Sequence, residues 1–77
     1  MLLKSHIEEL LAMTAGTLSR IARDSGYKDA RFDTCEFVGI TNSGDFAYTA
    51  TYKEDGVEHL TKLYVWRNAA GQYIAEF

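Results

Sequence analysis

The stretch that decides the fold is residues 34–77, TCEFVGITNSGDFAYTATYKEDGVEHLTKLYVWRNAAGQYIAEF. Three turn signals divide it. Thr41-Asn42-Ser43-Gly44 and Asn68-Ala69-Ala70-Gly71 each have the form of a type I turn followed by a glycine bulge, and Asp55-Gly56 that of a two-residue type I′ turn. Between them lie four runs rich in aromatic and β-branched residues that alternate in polarity, the period of half-buried strands. Each turn type fixes a register: Thr41 opposite Asp45, Glu54 opposite Val57, Asn68 opposite Gln72. Followed along the pleat, all three registers bring one strongly apolar set to the same face: Val38, Ile40, Phe46, Tyr48, Ala50, Tyr52, Leu63, Val65, Tyr73, Ala75 and Phe77. A slip of one residue in any hairpin would break that agreement. The pattern therefore predicts a four-stranded antiparallel meander in the order 1-2-3-4.

The opposite face then carries Cys35, Phe37, Ala47, Thr49, Thr51, Leu60, Lys62, Tyr64, Trp66 and Ile74. It too is apolar in part, and only one segment is suited to cover a sheet. Leu3, Ile7, Leu10, Leu11, Thr14, Leu18 and Ile21 fall on one stripe at helical spacing. Ser5-His6-Ile7-Glu8 has the form of a capping box, and Gly26 is placed to end a helix as a left-handed cap. The spacing predicts one helix over about 6–25, with a break around Thr14–Thr17 that gives two short helices as the alternative. A helix of that length spans about 30 Å and would cross all four strands. The expected fold class is α+β, a single domain over 1–77 with the helix packed on a sheet over about 34–77.

The second face is left with Phe37, Leu60, Tyr64, Trp66 and Ile74 and no helix to cover it. Either residues 27–33 or the N-terminus fold over it, or it meets a partner. Trp and Tyr at the centre of a sheet are typical contact anchors. Dimerisation would also help a 77-residue chain, which stands near the lower limit of what one core can stabilise.

Composition narrows the rest. An apolar fraction of 47% with 25% charged residues fits a folded globular chain. The net charge of −3, with the charges interspersed, argues against nucleic acid and anionic membranes, which need a basic footprint. The aromatics of the second face could stack on bases, but only Lys62 and Lys53 accompany them. Cys35 is the single cysteine, so no internal disulfide forms; with no signal peptide, the cytoplasm is the expected compartment.

Few residues suggest chemistry. Cys35 and His59 form the one candidate nucleophile–base pair, and the register above puts them on opposite faces. His6 and His59 share no ligand spacing and there is no second cysteine, so neither a metal nor a cofactor is expected. None of Gly39, Gly44, Gly56 and Gly71 leads into a helix N-terminus, so no phosphate cradle is expected.

Gly44-Asp45-Phe46-Ala47-Tyr48-Thr49-Ala50-Thr51-Tyr52, Asp55-Gly56, Leu63-Tyr64-Val65-Trp66-Arg67 and Gly71-Gln72-Tyr73-Ile74 together resemble the closing hairpins of the NTF2-like (SnoaL-like) superfamily among the cystatin-like folds. The resemblance covers residues 44–77. It implies a curved sheet wrapped on a helix and a tendency to dimerise through the sheet. The further N-terminal helices that wall the family's pocket have no counterpart here, nor does a catalytic His/Asp pair, so no functional residue is carried over. In size and shape the unit is also analogous to small inhibitor or accessory proteins of phages and mobile elements.

The expected function is noncatalytic protein binding, to itself as a homodimer or to a target, through Phe37, Leu60, Lys62, Tyr64, Trp66 and Ile74. The alternative is a small-molecule binder or degenerate NTF2-like protein, with a pocket between helix and sheet lined by Tyr48, Tyr52 and His59. A filled core favours the first and an apolar cavity of a few hundred Å³ the second.

Overall fold

A computed structural model of the protein describes residues 13–77. Among these residues one helix, α1 (Ala15–Asp24), is followed by four strands: β1 (Thr34–Ile40), β2 (Phe46–Glu54), β3 (Val57–Arg67) and β4 (Tyr73–Glu76). The strands form one antiparallel sheet in the order β1-β2-β3-β4, so the chain is an α+β meander.

The described helix starts later than one over 6–25 would, at the break around Thr14–Thr17 expected as the alternative. Thr14 is extended (φ −84°, ψ 168°), and its Oγ1 accepts from the Thr17 N–H at 3.2 Å, the geometry of an N-cap. The stripe therefore breaks at Thr14, where a hydroxyl that can satisfy a free backbone donor competes with helix continuation, and Gly16 weakens propagation two residues on. The expected capping box at 5–8 and the stripe positions Leu3, Ile7, Leu10 and Leu11 lie outside the described residues. At the other end Gly26 adopts φ +110°, a left-handed conformation a side chain would oppose. Its N–H donates to the Arg23 carbonyl and that of Tyr27 to the Ala22 carbonyl, both at 3.1 Å, which makes the stop a Schellman motif.

All three turns have the expected chemistry. The Thr41 N–H bonds the Asp45 carbonyl and the Asn68 N–H the Gln72 carbonyl, each at 2.9 Å, with Gly44 and Gly71 at positive φ. Asp55 and Gly56 both have positive φ, as a type I′ turn requires. The β2–β3 register pairs Glu54 with Val57, and Tyr48 with Leu63.

β1 departs from the expected register. Ile40 pairs with Phe46 and Gly39 with Ala47, but the next pair is Phe37 with Tyr48. Val38 is thus an extra residue in a β-bulge, and every position before it is shifted to the other face. Phe37 and Cys35 turn inward and pack against the core, whereas Val38, expected inside, is 66% exposed. Phe37 meets Tyr48 and Phe46 edge-on, with ring centroids at 5.6 and 6.2 Å.

The core lies between α1 and this inner face. Leu18, Ile21 and Ala22 meet Phe46, Tyr48, Ala50, Leu63, Val65 and Ala75. With 10 residues α1 is about 15 Å long. It therefore does not reach across the whole sheet as a helix over 6–25 would, and the end of the β2–β3 hairpin, Lys53 to Leu60, is exposed. Ser25 Oγ accepts from the Ala75 N–H at 2.9 Å, which ties the end of the helix to edge strand β4.

The connection between α1 and β1 stays on the helix side. The Phe32 N–H donates to the buried Ser19 Oγ at 2.8 Å, and that hydroxyl donates to the Ala15 carbonyl at 2.6 Å. The Arg23 guanidinium donates to the Ala30 carbonyl at 2.8 Å. Phe32 is buried in the core cluster, and the rings of Tyr27 and Phe32 meet Phe77 edge-on at 4.6 and 5.8 Å. Residues 27–33 consequently do not cover the outer face; the other expected cover, the N-terminus, lies outside the described residues.

Candidate protein-binding face

The outer face is ordered by the pairing of its strands. Along β3 it presents Leu60, Lys62, Tyr64 and Trp66 in succession, because alternate residues of a strand share a side. Trp66 stands opposite Ile74. Tyr64 stands between Ala47 and Glu76, Lys62 opposite Thr49, and Leu60 opposite Thr51. Thr49 in turn faces Glu36 on β1. Tyr64, Trp66 and Ile74 are half-buried, and none belongs to the described core cluster. Leu60 is 71% exposed, the most exposed large apolar side chain among those described. Five of the six expected contact residues thus share one surface; Phe37 does not, because the bulge at Val38 carries it to the core. Gly39 is the signal that could have placed the bulge, since an isolated glycine within a strand pattern often marks one.

The same bulge changes the relation of Cys35 and His59. Cys35 pairs with Ala50 and His59 with Tyr52, so both face the helix side rather than opposite sides. They stand on strands separated by β2 and form no pair. The Cys35 thiol lies 3.7 Å from the Met13 carbonyl, and burial pushes its pKa up, which disfavours the thiolate a nucleophile needs. Cys35 is expected to react with iodoacetamide more slowly than free cysteine at pH 8, with the rate still rising above pH 9. A rate equal to or above that of the free thiol, read by mass spectrometry, would show an activated sulfur.

Tyr48, Tyr52 and His59 share the inner face but not one environment. Tyr48 is 2% exposed within the core. Tyr52 is half-buried at its margin and stacks on the exposed His59, ring centroids 5.2 Å apart. Among the described residues no group of three or more His, Cys, Asp or Glu is arranged to hold a metal ion. Nor is any described helix long and apolar enough to cross a membrane.

No family model, curated protein or solved structure matches this chain.

Proposed function

We propose that the protein is a noncatalytic protein-binding module whose working surface is the outer face of β3 and β4. The observation that carries this reading is the strip of Leu60, Tyr64, Trp66 and Ile74, an apolar surface outside the described core with rigid aromatic side chains at its centre. Such side chains supply large contact area at low cost in rotamer entropy, which is why Trp and Tyr dominate binding hot spots. The fully buried core residues Leu18, Leu63 and Val65 belong to the cluster under the helix, which does not include this strip. A small inhibitor or accessory protein would use its outer sheet face in this way.

Trp66→Lys tests the reading, because it removes the largest anchor and adds a charge while leaving the core alone. Association is expected to weaken by at least ~2 kcal/mol. Folding stability should change by well under that amount, since substitutions away from the core are mild. Urea denaturation and pull-down from the native lysate, performed on the same variant, separate the two effects. A variant that unfolds yet associates normally would place Trp66 in a core; one that neither unfolds nor loses association would show that the outer face is not the working surface.

A further inference from the structure

Resting on that reading, we propose that the occupant of the outer face is a second copy of this chain, its β3 lying antiparallel over the first β3. The twofold axis passes between Lys62 and Tyr64, perpendicular to the strands and in the plane of the interface. Face-to-face sheets pack about 10 Å apart with strand directions within about 30°, and a twofold interface must be complementary to itself.

The β3 sequence meets that requirement. Under this axis position 62 of one copy meets position 64 of the other, and position 60 meets position 66. Each Lys62 ammonium then stands over the partner copy's Tyr64 ring, an attractive cation–π arrangement. Glu76 is the cross-strand neighbour of Tyr64, so the same ammonium also arrives beside a carboxylate. That gives a role to a lysine placed in the middle of an apolar strip. Leu60, exposed at the narrow end of the strip, comes down on the Trp66–Ile74 pair, so the least covered leucine meets the largest apolar surface of the face. On β2 the same axis sets Ala47 against Thr49, small side chains that let the sheets approach.

The test uses the full chain and two charge reversals at exposed positions, Lys62→Glu and Glu76→Lys. Wild type is expected to be a dimer at tens of micromolar by light scattering after size exclusion. Each variant alone places like charges together at both copies of the contact and should dimerise roughly tenfold or more weakly. An equimolar mixture of the two restores opposite charges at both contacts and should recover the dimer as a heterodimer. Circular dichroism of each variant establishes that it is folded; should either fail to fold, Leu60→Glu alone must abolish the dimer. A wild-type monomer throughout that range overturns the proposal while leaving the binding-face reading standing, provided Trp66→Lys loses a target that wild type captures. A dimer sensitive to Trp66→Lys but not recovered in the mixture overturns this arrangement of the two copies. A dimer indifferent to Trp66→Lys overturns both the arrangement and the reading it rests on.

Discussion

Replacing Leu63 with alanine is expected to destabilise the fold by about 2–5 kcal/mol, and Leu18→Ala by a similar amount. Both side chains are fully buried, one at the centre of β3 opposite Tyr48 and the other on the helix face that covers the sheet. Each truncation removes several methylenes from the core and leaves a cavity that the rigid sheet cannot close. The whole stability of a small domain is about 5–15 kcal/mol, so either variant should show a large fall in the urea midpoint. Leu60→Ala provides the contrast. It lies on the same strand three residues before Leu63 and faces the other way, 71% exposed, so its folding stability should stay within about 0.5 kcal/mol of wild type. Losses below that figure at both Leu18 and Leu63 would mean that the helix packs elsewhere.

The sheet was legible because its information is local. Asp55-Gly56 permits a tight turn with two positive φ values, and Gly44 and Gly71 each supply the left-handed residue of a longer one. Register follows from turn type, and face from register. The helix was half legible. Gly26 marks its end, and Leu18 and Ile21 mark its buried side. A single helix over 6–25 starts too early because Thr14 fits an apolar stripe by spacing while its hydroxyl serves better as a cap; the alternative, a break around Thr14–Thr17, has that position right. Apolar periodicity alone does not register that competition. Most of the candidate site was legible too, since Leu60, Lys62, Tyr64, Trp66 and Ile74 all sit in the hairpins whose registers the turns fix. Phe37 and Cys35 were not, because they lie beyond a bulge. A bulge arises from one extra residue inside a strand, and Gly39 was its one visible trace.

The bulge makes the second large prediction. If the uninterrupted register held, Val38 would be a core residue and Phe37 an outer one; the observed register reverses them. Phe37→Ala is expected to destabilise folding by roughly 2–4 kcal/mol, somewhat below the cost for a fully buried phenylalanine because the ring is half-buried. The loss comes from two edge-on ring contacts, to Tyr48 and Phe46, together with the apolar area the ring covers over the inner face. Val38→Ala, at 66% exposure, should change stability by about 0.5 kcal/mol or less. The two variants are adjacent in sequence and in the same edge strand, so strand propensity and unfolded-state effects differ little between them, and the contrast isolates burial. Thermal or urea denaturation of the pair decides it. The opposite ranking, with Val38→Ala the costlier, would restore Phe37 to the outer face, opposite Thr49 of β2, and widen the binding surface to β1. With the observed ranking, that surface stays concentrated on β3 and β4. A partner should then be indifferent to Phe37→Ala once the reduced folded fraction is taken into account.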